Sequence, residues 1–374
     1  MEAARASCCS VNEKGGSAVE QYDATAFLQE ILDRAGSTDG RAVVAPGDYY
    51  ISKTLVIHSN TTLSLMPGAR IHLADHANCV MLENDMFCGT ECEYNQNITI
   101  EGGVWDGNNV NQDRRSRESR FALKEYDPAY YFGICLRIRG VRNFIFRNVT
   151  IRNPESYGLQ ISDAVYFTVE NVSFDYNLKR PNMDGIHIDG PARYGCVRNL
   201  FGSTNDDMVA LNCDDGYACE VSRGGEIRDV LIDGLFADNG YTAVRLLSCG
   251  HMLENVIIRN IFGKYRFNVV SFTHHNVHAD PLRVFKNVLI DGVFAGKAPQ
   301  GNSDPLFWFA GSICAENITI QNVARTEEQE NAAYTVQIDR GAQVRALCTV
   351  RVHQNIPDRG RAVVLNQNET ERRE

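Results

Sequence analysis

The sequence predicts an all-β solenoid, a parallel β-helix closed at its N-terminal end by one amphipathic helix. Three observations lead to this prediction: a short polar-apolar repeat at solenoid spacing, apolar runs that alternate with period two, and a composition with 30 glycines but only 10 prolines. Short strands separated by many tight turns are typical of this combination. We expect residues 1–374 to form a single domain.

One helix is predicted over residues 22–36, after an N-terminal extension of residues 1–21. Its apolar face at helical spacing is formed by Ala26, Phe27, Ile31 and Leu32. Asp23 is the expected N-cap, and Gly36 is the expected stop. The end of a β-helix exposes unpaired strand edges, so we expect this helix to cap them.

From Ala42 onward the chain alternates in short apolar runs, and a unit of the form Asn/Asp-Val/Ile-x-Ile-x-Asn/Asp then recurs. The last polar residue of each copy lies at positions 148, 171, 199, 233, 260, 291 and 322, at intervals of 23 to 34 residues. This is the period of a solenoid, whose units bury their apolar faces only by stacking on one another. Asn suits the turns because it tolerates left-handed backbone and its amide stacks between coils. A β-sandwich with coincidental Asn-Val turns is the alternative.

Two segments break the repeat. Residues 107–130 form a long charged insertion with an aromatic end, which we expect to line a binding groove. Residues 360–374 are predicted to be a polar tail.

Composition and charge exclude several classes of function. The 47 acidic and 37 basic residues give a net charge of −10, so nucleic-acid and membrane partners are not expected. No run approaches the roughly 18 apolar residues of a membrane span, and the N-terminus lacks the apolar core of a signal peptide. We therefore expect a cytoplasmic protein with free thiols. Disulfides, with Cys88 and Cys92 the nearest pair, are the alternative. The oligomeric state stays open.

The acidic residues that indicate chemistry lie in two segments one coil apart, Asn182-Met-Asp-Gly-Ile-His-Ile-Asp and Asn205-Asp-Asp-Met-Val-Ala-Leu-Asn. Aligning their apolar alternation places Asp184 and Asp207 at equivalent positions about 4.8 Å apart, with Asp206 beside them. Three carboxylates this close cannot all ionise freely, so at least one keeps its proton near neutral pH. Glycoside hydrolysis needs such an acid together with a carboxylate base. A Ca²⁺ site and turn capping are the alternatives, and we expect no metal and no cofactor.

Six further side chains are candidates for binding substrate: Asn182, His187, Asn212, Arg245, His274 and Trp308. The alternation turns Arg245 outward, in the column of His187 and Ala210. It also points Trp308 away from its apolar neighbours in the sequence. His274 and His275 point to opposite sides of a strand, which favours use of His274 in a groove over a metal site.

The two Asp segments resemble the active-site signature of family 28 glycoside hydrolases, the polygalacturonases and their relatives. The family's Asn-Thr-Asp-Gly and Gly-Asp-Asp-Cys motifs stand here as Asn182-Met-Asp-Gly and Asn205-Asp-Asp-Met, and the resemblance covers most of residues 22–325. It implies a right-handed, pectin-lyase-like β-helix and hydrolysis with inversion. By the same resemblance Asp206 is the general acid, while Asp184 and Asp207 hold and activate the water. Inversion predicts acid and base carboxyls about 6.5–9.5 Å apart.

Two motifs of that family depart from the expected pattern. No Gly-His-Gly follows the double Asp, which suggests a missing coil or loop, and the family's Arg-Ile-Lys stands as Arg245-Leu-Leu. His187 is a candidate replacement for the lost His. A neutral sugar is as acceptable as galacturonate, so we expect a hydrolase of pectic or related plant oligosaccharides. A β-helix polysaccharide lyase, which would need Ca²⁺ and an Arg or Lys base, and a non-catalytic carbohydrate-binding solenoid are the alternatives.

Overall fold

The computed structural model confirms a right-handed parallel β-helix. It describes residues 7–8, 21–38, 40–85, 94–113, 131–214, 224–274, 282–327, 334–354 and 363–365. Within these ranges, 23 strands form one continuous sheet that winds around the main apolar core.

The helical elements are α1 (Thr25–Ser37) and a short 3₁₀ turn (Asn109–Asn111). The strands of the first half are β1 (Ser7–Cys8), β2 (Gln21–Tyr22), β3 (Arg41–Val44), β4 (Gly47–Ile51), β5 (Leu55–Ile57), β6 (Thr62–Leu65), β7 (Ala69–Leu73), β8 (Leu82–Asn84), β9 (Asn95–Glu101), β10 (Val104–Asp106), β11 (Leu136–Arg147), β12 (Thr150–Arg152) and β13 (Leu159–Asp175). Those of the second half are β14 (Ile186–Gly202), β15 (Asp207–Asp214), β16 (Ile227–Gly240), β17 (Thr242–Ser248), β18 (Leu253–Tyr265), β19 (Val270–Thr273), β20 (Leu282–Lys297), β21 (Phe307–Phe309), β22 (Ile313–Arg325), β23 (Val336–Ile338), β24 (Gln343–Gln354) and β25 (Val363–Leu365).

The coils stack in register, so that each inward side chain lies on its counterpart in the next coil. One such column is fully buried and consists of Leu82, Leu136, Leu159, Ile186, Val209, Val244, Val270, Phe307 and Val336. Because strands of neighbouring coils lie about 4.8 Å apart, these side chains pack without gaps along the axis. This packing of coil on coil provides the core that no single coil could form alone.

The predicted Asn turns form hydrogen-bonded ladders between coils. Asn171 donates to Asn148 and Asn199 donates to Asn171, each over 3.0 Å. All three have left-handed backbone, with φ of 58°, 55° and 56° in chain order. At position 233 the turn is built differently, because Asp233 accepts from Asn260 and Gly234 takes the positive φ. The ladders confirm the role predicted for the repeat.

Helix α1 lies at the N-terminal end of the solenoid, but its boundaries and buried face differ from the prediction. It begins at Thr25, with Asp23 outside it accepting a hydrogen bond from the Thr25 amide over 2.9 Å, and it runs past Gly36 to Ser37. Its buried face consists of Leu28, Leu32 and Ala35. Ala26 and Phe27 are exposed, because packing against β3 and β5 rotates the buried stripe away from them.

Gln29 of α1 pairs with the edge of β5 as a strand would. Its Oε1 accepts a hydrogen bond from the Val56 amide over 2.8 Å, and its Nε2 donates to the Val56 carbonyl over 3.0 Å. The side-chain amide therefore satisfies backbone groups that the next coil would otherwise pair.

Several sequence predictions fall partly outside the described residues. Of the insertion 107–130, residues 107–113 are described, and Asn109 donates to the Pro154 carbonyl over 2.9 Å. The predicted polar tail contains strand β25, which extends the sheet beside β23 and is therefore not wholly irregular. Cys88 and Cys92 are not described, whereas seven other cysteines are free thiols. Across the described ranges, no helix is long and apolar enough to cross a membrane.

The His58 side chain lies between two carboxylates, that of Asp33 in α1 and that of Asp85, which directly follows β8. Its Nε2 lies 2.9 Å from Asp33 Oδ1 and its Nδ1 lies 2.7 Å from Asp85 Oδ2. Burial disfavours the imidazolium, but the two carboxylates outweigh it and raise the pKa of His58 above its usual value. The protonated ring donates to both partners and ties the cap to the solenoid.

We predict that His58→Gln destabilises the protein more in acid than in base. A raised folded-state pKa stabilises the fold fully below the unfolded value of about 6.5, and this stabilisation is lost as pH rises through the folded pKa. Urea unfolding at pH 5.5 and pH 8.5 should therefore show a larger loss of unfolding free energy at pH 5.5. His353→Gln, at an exposed position, is the control. An equal loss at both pH values would contradict the charged bridge.

Candidate active site

One face of the continuous sheet carries the predicted site residues. We call it the site sheet; it consists of β8, β15, β17, β19, β21, β23 and the first residues of β11, β13 and β14. Its central outward column contains Glu83, Arg137, Gln160, His187, Ala210, Arg245, Ser271, Trp308 and Gln337. The predicted alignment of Ile186 with Val209 and Val244 is confirmed.

Three carboxylates gather where the site-sheet strands begin. One oxygen from each of Asp184, Asp206 and Asp207 lies within 4.8 Å of the others. Asp184 and Asp207 are only 3% and 4% exposed, although they stand on the outer face of the sheet, whereas Asp206 is partly exposed. Asn182 donates to Asp206 over 3.1 Å from a left-handed turn. The structure therefore brings together the cluster that the two segments predicted.

Crowding of these carboxylates favours their protonated forms. Burial, followed by the charges of Asp207 and Asp184, raises the pKa of Asp206 well above its usual range. Burial likewise raises the pKa of Asp207 to about 7, although the Arg245 guanidinium opposes that rise. Near neutral pH the pair thus contains a protonated acid beside a carboxyl that can give up or accept a proton.

His187 is buried behind the cluster and contacts protein on every side. Its Nδ1 lies 2.7 Å from Asp184 Oδ2, its Nε2 lies 3.4 Å from Asp189 Oδ1, and its ring stacks on Tyr157 with centroids 4.0 Å apart. Burial opposes its charge, but Asp189 and Asp184 raise the pKa of His187 well above its usual value. The ring is only 4% exposed, so it is not placed to contact substrate, which is the role that the sequence predicted for it. It contacts Asp184 instead.

Asn212 belongs to the same buried network and is not placed to contact substrate either. It is 2% exposed and donates to Asp189 Oδ1 over 2.9 Å. Gln160 donates to the other oxygen of Asp189 over 2.8 Å. Asp189, which the sequence analysis did not select, is thus fully buried, accepts hydrogen bonds on both carboxylate oxygens and lies beside His187.

Arg245 points outward beside the carboxylates, as predicted. Its Nη1 lies 3.7 Å from Asp207 Oδ2, and its Nε donates to the Thr273 hydroxyl over 3.0 Å. Arg245 belongs to the coil directly after that of Asp207, because Asp207 pairs in register with Thr242 of the strand that contains Arg245. No coil is missing between them, contrary to our expectation, and Gly240-Tyr-Thr stands where a Gly-His-Gly was expected.

The two remaining candidates lie at different distances from the cluster. Trp308 points outward and is partly exposed, two coils beyond Arg245, while Phe307 and Phe309 are buried. In the coil of His274, the position equivalent to Asp207 is Asn268. His274 lies six residues after it along the chain, which is roughly 20 Å at the rise of a strand. It faces the Ser312 carbonyl over 3.3 Å and does not join the cluster.

The structure also places Tyr241, Arg266 and Phe267 at the site, which the sequence reasoning missed. Tyr241 precedes Thr242 just as Asp206 precedes Asp207, so the two side chains occupy equivalent positions in successive coils. Continuing the alignment of coils by one residue before each strand would have found this row. Among the described residues, the three site carboxylates are also the only group of acidic, His or Cys side chains placed to hold a metal ion together.

Comparison with known proteins supports a polygalacturonase-like β-helix. No protein-family model matches the sequence. A polygalacturonase from Persea americana is 23% identical over 163 residues, which are 40% of this chain and 34% of that protein. The chain thus spans about a third of the length of this curated relative.

Solved structures share the fold along nearly the whole chain. The endo-xylogalacturonan hydrolase from Aspergillus tubingensis superposes with a TM-score of 0.60 and 14% identity, covering 96% of both chains. The exopolygalacturonase from Thermotoga maritima gives a TM-score of 0.57 and 12% identity, covering 92% of this chain and 87% of its own. At these identities the likeness shows the fold.

We predict that His187→Ala lowers the free energy of unfolding by about 3–5 kcal/mol, because it leaves Asp184 and Asp189 buried without their cation. Urea unfolding at neutral pH measures the loss. His76→Ala is the matched control, since the His76 side chain is 70% exposed and should cost less than about 1 kcal/mol. Equal losses for the two variants would show that the buried imidazolium does not hold the network.

Proposed function

We propose that this protein is a glycoside hydrolase of the family 28 type that cleaves pectic or related plant oligosaccharides. The observation that carries the proposal is the group of three carboxyls gathered within 4.8 Å on the outer face of a β-helix, where burial and the neighbouring charges raise the pKa of Asp206. The partial identity to a polygalacturonase supports the substrate class. The solved structures that share the fold support the architecture on which the site is built.

In the proposed reaction Asp206 is the general acid, because it keeps its proton and is the most exposed of the three carboxyls. It donates this proton to the glycosidic oxygen as the bond from that oxygen to the anomeric carbon breaks. Asp207, in its ionised form, accepts a proton from the water that attacks the anomeric carbon, and Asp184 orients that water. The products are a new reducing end and a free hydroxyl.

The surrounding residues act on this pair. His187 and Asp189 position Asp184, and Arg245 stabilises the ionised form of Asp207. Asn182 and Trp308 remain proposed contacts to substrate, since both are partly exposed. His274 is proposed only as a contact to a distant sugar of a longer chain.

The proposal predicts that Asp206→Asn and Asp207→Asn each lower kcat by about 10²–10⁴-fold while the protein still folds. The measurement is reducing-end release from a panel of pectic and neutral α-linked oligosaccharides. Asp175→Asn is the control, because its side chain is 60% exposed. Release that survives both substitutions would overturn the assignment, and loss of folding in both would make the carboxylates structural.

The same assay separates the competing reactions. A lyase would lose activity to a chelator and would give products with an ultraviolet-absorbing double bond, whereas a hydrolase does neither. A binding solenoid would release nothing and would bind equally well with Asn at position 207. Proton NMR of the first product shows whether the anomeric configuration inverts.

The pH profile tests the assigned roles. We predict that kcat/KM rises as pH passes about 7, where Asp207 ionises, and falls at higher pH as Asp206 loses its proton. Arg245 lowers the pKa of Asp207, so Arg245→Gln should move the acidic limb to higher pH. Arg245→Lys keeps the charge and should leave the limb nearly in place. An unmoved limb in Arg245→Gln would exclude Asp207 as the base.

A further inference from the structure

A row of aromatic side chains begins directly beside the acid pair. Tyr241 and Phe267 occupy successive coils, since the Phe267 amide donates to the Tyr241 carbonyl over 2.9 Å. Their rings stack with centroids 5.0 Å apart and planes inclined by 26°, and Phe267 meets Trp308 edge to face at 6.1 Å. All three side chains are partly exposed. Half-exposed rings at a carbohydrate site offer an apolar surface to the face of a sugar.

The row lies within electrostatic reach of the carboxylates. Burial, followed by the charges of Asp206 and Asp207, raises the pKa of Tyr241. Tyr241 also stands one residue before Thr242, which pairs in register with Asp207. A sugar packed against the exposed part of Tyr241 would therefore be a direct neighbour of the bond that Asp206 protonates.

Arg266 supplies a cation at this position. Its guanidinium lies over the Tyr241 ring, 5.5 Å from the centroid, and its Nη2 donates to the Thr204 carbonyl over 3.0 Å. Within the described part of the chain Arg266 forms no ion pair, and its side chain is partly exposed. A guanidinium that is fixed in direction, packed on an aromatic face and unpaired with a carboxylate is suited to a planar anion such as a sugar carboxylate.

The backbone of Arg266 and Phe267 is held in place by a second cationic side chain, that of Lys297. Lys297 is 2% exposed, and its ammonium donates to the Phe267 carbonyl and, over 2.9 Å, to Asn302 Oδ1. The Asn302 amide donates in turn to the Arg266 carbonyl over 2.9 Å. Arg266 and Phe267 are thus presented by a braced segment and not by a loose one, which lowers the entropic cost of binding.

We propose that Arg266, with Tyr241 and Phe267, forms a subsite for an anionic sugar, and that Arg266 is the residue that selects the charged sugar over its neutral form. This inference rests on the proposed hydrolase function. It assigns charge recognition to a residue outside the motifs that resemble family 28. A uronosyl carboxylate pairs with the guanidinium while the sugar ring lies on the aromatic row. The neighbouring Asp184, Asp206 and Asp207 would otherwise repel such a substrate.

The test compares a galacturonate oligosaccharide with its methyl ester of equal length, using wild type, Arg266→Gln and Tyr241→Ala. Arg266→Gln should lower kcat/KM for the free acid by about tenfold to a hundredfold, mainly through KM, and change the ester by less than about threefold. Tyr241→Ala should weaken both substrates alike, because stacking serves both. Arg228→Gln, a partly exposed Arg of β16, outside the site sheet, is the control and should change neither.

Binding separates failure of the subsite from failure of the hydrolase. Calorimetry with the Asp207→Asn variant measures the affinity for both oligosaccharides in the presence and absence of Arg266→Gln. Selective loss of free-acid binding supports the subsite even if wild type releases no reducing ends. Equal effects on acid and ester, no effect on either, or no binding of the acid by any variant would each overturn it.

Discussion

In-register stacking of one coil on the next is the constraint on which this structure depends. A single coil cannot bury its apolar side chains, and it does so only when its counterpart lies about 4.8 Å away along the axis. The same register aligns the outward side chains, so residues 23 to 37 apart in sequence become neighbours on one face. The core and the candidate site are therefore two faces of the same set of strands.

This arrangement concentrates charge at the start of the site-sheet strands. Three carboxylates would repel one another if all were ionised, and they are balanced by His187 behind them and Arg245 beside them. The cations have unequal effects on the three groups. His187 contacts Asp184, Arg245 lies 3.7 Å from Asp207, and Asp206 accepts a hydrogen bond from the neutral amide of Asn182. The environment thus separates an acid from its neighbours through geometry alone.

Much of the fold could be predicted because the repeated polar residues recur at the interval of one coil. Asn148, Asn171 and Asn199 mark one corner of the helix, and the alternation around Ile186 and Val209 fixes the register that gathers the Asp cluster. Burial was harder to foresee, because the alternation shows which way His187 points but not what covers it. Two residues enclose His187: Tyr157 comes from the preceding coil, and Asp189 is the next outward residue of the same strand.

The apolar alternation also did not identify the site residues that lie just before each strand. Tyr241 and Phe267 lie one position before the alternation begins, so only an alignment of the coils extended beyond the apolar runs places them beside Asp206. Their relation follows only once the coils are stacked. Helix α1 shows the same limit, because its apolar residues allow two overlapping faces and contact with β3 and β5 chooses between them.

The pairing of Gln29 with β5 bears on how the molecule ends. A β-helix is open to growth, because its terminal coil offers the same backbone groups that every internal coil uses to bind its neighbour. By occupying the amide and carbonyl of Val56, Gln29 removes one pair of these groups from the reach of another chain. The first helix therefore does more than cover the end of the solenoid: it also occupies one position at which the edge of another chain could pair.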